Sequence, residues 1–280
     1  MEQIGLLHDG QIYDLQTAEA LNIKGDIIKA DDSKESLEIL RHSCAHMMAQ
    51  AIKELYPEAK FFVGPVVKEG FYYDFKVESK ISDEDLPAIE KKMKEIADRK
   101  LPITRHETTK EEFYEKFKND ELKQAVLKNI KDDTVTIYKQ GDFEDLCRGP
   151  HLPNTRMIRS FKLTRVAGAY LGGDEKNEMI TRIYGIAFFD KQALFDYTKM
   201  IEEAKKRDHR KLGTELELFT FNDDVGAGLP MWLPNGARLR SKLEHLLYKA
   251  HRVRGYEPVR GPEILKSEMW KISGHYANYK

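Results

Sequence analysis

The sequence is short of cysteine, of net charge and of long apolar runs, and each shortage removes a class of protein. Its two cysteines, Cys44 and Cys147, cannot build the disulfide framework on which small secreted domains depend. No apolar stretch approaches the ~20 residues that a membrane-spanning helix needs. The opening MEQIGLLHDG has no basic-then-apolar signal pattern, so a cytoplasmic setting and no membrane partner are expected. Forty-six basic residues against 47 acidic ones leave a net charge of −1. Bulk electrostatics therefore neither demands nor excludes a nucleic-acid partner, and any RNA contact must come from a local patch. There is no internal repeat and no low-complexity tract. What remains is 280 residues, 41% of them hydrophobic, enough for a real core and for two domains, or one domain and part of another.

Against that background four side chains stand out. His42 and His46 are spaced i,i+4 in RHSCAH, and Cys147 and His151 are spaced i,i+4 in CRGPH about a hundred residues later. Nine histidines give one His-x-x-x-His in roughly one random chain in four, but both pairs occur together by accident in only about one in sixty. The pairs are therefore read as a set that converges on one cleft, either to hold a metal or to move protons in a hydrolysis. Structural polar residues with satisfied hydrogen bonds are the alternative. Asp32 and Glu35 offer a capping-box-like start to the first pair's helix, and Leu37, Leu40, Cys44, Met48, Ala51 and Leu55 give it an apolar stripe. At 100° per residue the two histidines fall roughly 120–160° from the stripe's centre, beside Ile39, Ala45 and Ala49, as on a half-apolar cleft wall.

Strands and helices intermix along the rest of the chain. Residues 1–32 read as short strands around the Asp9-Gly10 turn, too little for an independent domain. From 33 to 189 come FFVGPVV and GFYYDFKV as strands, a helix capped at Ser82, the strand ITRHE, a helix capped by Thr108-x-x-Glu111, the short helix ELKQAVLKNI, the strand TVTIYK and the CRGPH loop. SFKLTRVAGAYL and MITRIYGIAFF flank GGDEKN as a long antiparallel hairpin. The fold class expected is α+β, a two-layer arrangement of antiparallel sheet and helices. Residues 190–213 form a linker helix ending in the basic KKRDHRKLG, which either touches a phosphate backbone or is simply solvated. From 214 on, a loop-rich segment precedes a long amphipathic helix bearing Leu239, Leu243, Leu246 and Leu247.

RHSCAH, GFYYD, CRGPH, RIYGIAF and RDHRKLG, in this order, resemble the editing region of the bacterial threonyl-tRNA synthetases, whose hydrolytic domain also has a relative in the alanyl-tRNA synthetases. LPMWLPNGARLRSKLEHLLYKAHRVRGYEPVRGPEIL looks like the first signature of a class II synthetase core, a dimer-forming helix and strand ending in Pro262, and EMWKISGHYANYK like the segment after it. Residues 33–189 are then the editing domain and 214–280 the first, incomplete part of the aminoacylation core. The segment before residue 33 is shorter than the family's usual ubiquitin-like N-terminal domain, which is expected to be rudimentary or absent. The sequence stops before the later class II signatures and the zinc site that reads threonine. ATP, magnesium and zinc accordingly belong to the missing core, and homodimerisation to the full-length enzyme.

The resemblance implies hydrolysis of serine from mischarged threonine tRNA, with tRNA and its seryl group as partners and no cofactor. It makes His42 the base or water-positioner, has His46, Cys147 and His151 shape the pocket, and makes Lys123 the catalytic lysine. Asp145 and Tyr73 become substrate-contacting residues, on the α-ammonium and the pocket wall. Metal binding is the competitor, because three imidazoles and a thiol are zinc ligands and the alanine-specific relatives bind zinc with a similar set. No metal is expected here. Two other classes stay in view: a metal-dependent hydrolase with no tRNA role, and a non-catalytic RNA-binding or dimerisation module.

Overall fold

One long helix, Lys34–Leu55, organises the first part of the chain. In the computed structural model, which describes residues 2–226, 228–262 and 264–278, every residue of this helix from Ser43 to Ile52 is buried. It is therefore a central helix covered on all sides and not one with a single core face. The face opposite the leucine stripe carries the small residues Ala45 and Ala49 beside His42 and His46, and Ala45, His46 and Ala49 are buried as well. Its start also differs from the capping box expected at Asp32 and Glu35. Ser33 is the N-cap and makes no side-chain cap, while the Asp32 carboxylate accepts from the amides of Phe189 (2.7 Å) and Asp190 (3.3 Å).

Residues up to Met200 make one compact unit. Against the central helix lies an antiparallel sheet in the order Ser160–Tyr170, Met179–Phe188, Gly70–Lys76, Lys60–Phe61, with Val66–Val67 also paired to Gly70–Lys76. Period-2 alternation turns Phe71, Tyr73, Phe75 and Ile183 inward to the helix, and leaves Tyr72 and Tyr184 on the outer face under Arg182 and Arg165. The hairpin expected around GGDEKN is the Ser160–Tyr170/Met179–Phe188 pair. Gly185 is needed inside it, since a Cβ there would lie 2.4 Å from the Phe71 ring. Helix Leu86–Arg99 packs on the other side of the central helix through Ile89, Met93 and Ile96, and begins at a Ser82/Asp85 capping box.

A second antiparallel sheet, Ile103–Thr109, Thr134–Gln140, Phe143–Leu146, carries the loop that holds Cys147 and His151. Helices Lys110–Lys116 and Glu121–Lys128 cover it around Phe113, Leu127, Val135 and Ile137. The first of these is capped one residue later than expected, by Thr109 and Glu112, because Thr109 is the residue with extended backbone before the first turn. The N-terminal segment is a three-stranded sheet, Gln11–Asp14, Gln3–His8, Asp26–Lys29, with a short helix Leu15–Ala20. It belongs to this same unit and packs on the central helix through Ile4 and Ile28.

The second unit, from Ile201 on, contains helix His209–Glu215, the paired strands Phe219–Thr220 and Met231–Trp232, helix Pro234–Val253 and two short helices, Ser267–Ile272 and His275–Asn278. The boundary falls inside helix Lys191–Lys206. Leu239, Leu243, Leu246 and Leu247 are 46–62% exposed along Pro234–Val253. Ala227, Glu263, Tyr279 and Lys280, within the stretch read as the start of a class II core, lie outside the described residues. No helix among the described residues is long and apolar enough to cross a membrane.

Candidate functional site

Four residues apart on a helix is one turn plus a little, so His42 and His46 project from the same side of the central helix. The Phe143–Leu146 strand delivers the CRGPH loop to that side. Cys147 Sγ lies 3.2 Å from His42 Nε2 and 3.1 Å from His151 Nε2, and Gly149 N–H donates to it over 3.4 Å. The His42 and His151 rings stack with centroids 4.4 Å apart, and His46 sits 4.9 Å from His151 and edge-on to Phe143 at 5.1 Å. His46 and His151 are buried, whereas His42 and Cys147 keep an edge open to solvent. Neither ring nitrogen of His46 has a hydrogen-bond partner among the protein groups.

Ser43 sets the orientation of His151. Its hydroxyl donates to the Ile39 carbonyl (2.8 Å), a back-bond within the helix, and accepts from Leu152 N–H (2.8 Å). With its one proton committed, Oγ is only an acceptor toward His151 Nδ1, 3.4 Å away. The His151 proton is thereby assigned to Nδ1, and the Nε2 lone pair faces the Cys147 sulfur.

Beside this cluster is a second, charged one. Lys123 Nζ pairs with Asp145 Oδ1, the Tyr73 hydroxyl donates to Asp145 Oδ2, and Leu146 N–H donates to Oδ1 at 2.7 Å. All three side chains are buried. Lys123 is held there by its ion pair with Asp145. The two clusters adjoin, because Asp145 is two residues before Cys147 and its charge, with that of Lys123, acts on His46.

Burial decides the protonation states. It lowers His42 to about 4, against the opposing pull of a hydrogen bond to the Pro150 backbone and the charges of Asp14 and Asp145. It lowers His46 to about 4 as well, and His151 well below the ordinary imidazole value, helped there by His42 and His46. Burial pushes the Cys147 thiol up to about 12, opposed by the Gly149 N–H. Tyr73 is raised by burial and by Asp145. At neutral pH the cluster is thus three uncharged imidazoles around a thiol, a set of lone pairs in a low-dielectric wall that accept protons or ligate a cation. His42, Cys147 and His151 place one ligand atom each within 4.8 Å of the others, which suits a tetrahedral metal. His46 contributes no atom to that set.

Cys147 and Arg148 also line a cavity of about 390 Å³ walled by Phe62, Val63, Thr136 and Leu146, within the usual size range of small-molecule sites. Lys123 and Asp145 line another, of about 450 Å³, with Gln50, Phe61 and Phe143. All seven residues singled out in the sequence therefore meet in one region of the first unit. Three others do so unannounced. Ser43 lies between the two histidines. Asp14 accepts from His151 N–H (3.0 Å) and from the Tyr138 hydroxyl (2.6 Å), and Tyr138 packs its ring 4.5 Å from His151. The one sequence signal for Asp14 is its capping position before Leu15–Ala20.

Residues 135–184 match the family described as "Threonyl and Alanyl tRNA synthetase second additional domain", a span that contains Asp145, Cys147 and His151. The chain is 69% identical over 279 residues to a "Threonine--tRNA ligase" of Campylobacter jejuni, covering 100% of this chain and 46% of that protein. It is 74% identical over 250 residues to the "Threonine--tRNA ligase" of Campylobacter lari, 89% of this chain and 42% of the relative, and 66% identical over 279 residues to that of Helicobacter hepaticus, 100% and 46%. The chain spans about half the length of the curated relatives it matches.

Proposed function

We propose, starting from a chain that belongs to the threonyl-tRNA synthetases, that its histidine–cysteine cleft hydrolyses serine from tRNA mischarged with it. The physical need is specific. A pocket built for threonine gains only ~1–3 kcal/mol from the methyl group that serine lacks, ~10–200-fold in discrimination, so a second site must remove the error and exclude threonine by size. The observation that carries the reading is the convergence of His42, His46, Cys147 and His151 on one wall, with a buried carboxylate–lysine pair beside it.

In this reading water attacks the acyl carbonyl, a new C–O bond forms, and the bond to the terminal ribose oxygen breaks, with a proton from the attacking water ending on that oxygen, so that serine and a free ribose hydroxyl are released. His42, neutral and open to solvent on one edge, accepts or orients the water proton. His46, Cys147 and His151 shape the acyl pocket. Lys123 stabilises the negative charge that develops on the carbonyl oxygen or meets the ribose. Asp145 receives the α-ammonium of serine, which exchanges with the contact it makes to Lys123, and Tyr73 forms the adjoining wall. No cofactor takes part.

Residues 33–189 are the editing body in this proposal, 1–32 a short N-terminal segment, 190–213 a linker and 214–280 the beginning of a class II aminoacylation core. The full-length enzyme would add ATP, magnesium and zinc chemistry, dimerise, and work in the cytoplasm on threonine tRNA. A second reading, a zinc-dependent hydrolase, draws on the three ligand atoms of His42, Cys147 and His151. Incubation with serine- and threonine-charged tRNA tests the first. Preferential serine release, lost in His42→Ala, supports it, while equal release of both or none from the wild type refutes it.

A further inference from the structure

Two successive amides of the CRGPHL stretch are held by buried side chains from distant parts of the chain. Leu152 N–H is taken by Ser43 of the central helix, and His151 N–H by Asp14 of the N-terminal segment. Asp14 is 2% exposed and closes strand Gln11–Asp14. Its Oδ1 accepts from Thr17 N–H at 2.7 Å, so the short helix Leu15–Ala20 fixes its direction. Its Oδ2 accepts both from His151 N–H at 3.0 Å and from the Tyr138 hydroxyl at 2.6 Å. Tyr138 Oη also stands 3.0 Å from Thr17 Oγ1, which ties the same corner a second time. The loop is shaped to admit this corner. Gly149 has φ +75°, and a Cβ on it would lie 2.4 Å from the Tyr138 hydroxyl and 2.8 Å from Asp14 Oδ2. The approach is therefore closed to every residue but glycine, at the position midway between Cys147 and His151.

We propose that Asp14 is a positioning residue for the hydrolytic site, and that the segment of residues 3–29 is a working part of that site through this one carboxylate. Charge-assisted hydrogen bonds to a buried carboxylate are stronger than neutral ones, and this one sits where it sets the distance of His151 and Cys147 from His42. Asp14 touches no reacting atom. It acts through Tyr138 and the His151 backbone, as a support behind the rings. The proposal rests on the deacylase reading for its catalytic consequence, but the clamp itself is readable without any substrate.

Two measurements on the full chain separate these. Cys44 is fully buried, so alkylation of the native protein by iodoacetamide reports Cys147. Asp14→Ala is expected to label several times faster than wild type, and Tyr138→Phe, which removes only the hydroxyl, to label faster by a smaller factor. In single-turnover serine release, Asp14→Ala should lower the maximal rate by about tenfold or more, since displacements near 1 Å cost on the order of 10²-fold, while the half-saturating concentration stays within about twofold. Asp14→Ala/Tyr138→Phe should be no slower than Asp14→Ala alone, because the Tyr138 hydroxyl acts through the Asp14 carboxylate that the first change already removes. If the variants, folded by circular dichroism, label Cys147 at the wild-type rate, the clamp is overturned. Additive losses in the double variant also overturn it. If wild type releases no serine, the deacylase reading falls, and the labelling rates alone decide the clamp. Should Asp14→Ala fail to fold, Tyr138→Phe carries both measurements.

Discussion

Replacing His46 by leucine should make the protein more stable and less active, and the gain should grow as the pH falls. His46 is 2% exposed, and neither of its ring nitrogens has a protein partner. A buried polar group left in that condition costs about 1–3 kcal/mol, whereas an apolar side chain of similar volume costs nothing of the kind. Leucine therefore stabilises by about 1–3 kcal/mol at pH 7.5, a rise of about 2–4 °C in melting temperature per kcal/mol for a unit of this size. The pH dependence follows from the depressed imidazole. His46 titrates near 4 when folded, against 6.5 when free, so between these values the unfolded chain binds the proton and the native one refuses it. Wild type thus loses stability as the pH drops from 6.5 toward 4, and this one ring accounts for roughly 2–3 kcal/mol of the loss by pH 4.5. His46→Leu lacks that contribution. Urea denaturation at pH 7.5 and pH 4.5 measures both effects as shifts in midpoint at constant slope. A variant less stable than wild type at pH 7.5, with a parallel pH dependence, refutes the reasoning.

Three further outcomes are expected. Lys123→Ala leaves the Asp145 carboxylate buried without its cation and should destabilise by about 3–5 kcal/mol, measured by thermal unfolding, with part of the loss recovered in Lys123→Ala/Asp145→Asn. Gly185→Ala drives a Cβ into the Phe71 ring and should cost about 1–3 kcal/mol of stability, measured by urea denaturation, without altering the residues of the cleft. Extensive dialysis against a chelator should leave serine release unchanged, with no stoichiometric zinc by elemental analysis. Loss of activity restored by zinc would instead favour the metal-dependent reading.

The parts of this molecule that were legible in the sequence are those governed by short periods. The i,i+4 spacings of His42/His46 and Cys147/His151 survive any detail of the fold, and the alternation on either side of GGDEKN sets up the hairpin Ser160–Tyr170/Met179–Phe188. Capping was legible only to within a residue, because Thr108-x-x-Glu111 and Thr109-x-x-Glu112 fit the same pattern and the backbone before the first turn decides between them. The all-round burial of residues 43–52 in this helix was not legible. Alanines and methionines do not announce a buried face, and only the sheet and the Leu86–Arg99 helix on its flanks create one. Asp14 was the hardest to see. Its partners Tyr138 and His151 are 124 and 137 residues away, and the pairing of Gln3–His8 with Gln11–Asp14 is what aims the carboxylate at them.

Hydrolysis by this cleft relies on imidazoles that are already uncharged well below neutrality, and the rate of serine release from charged tRNA under single-turnover conditions, followed from pH 8 to pH 5.5, tests this directly. With His42 and His46 titrating near 4, the rate, corrected for spontaneous hydrolysis, should change by less than about twofold over that range. A fall of about tenfold by pH 5.5, with a midpoint near the ordinary imidazole value of ~6.5, would contradict it.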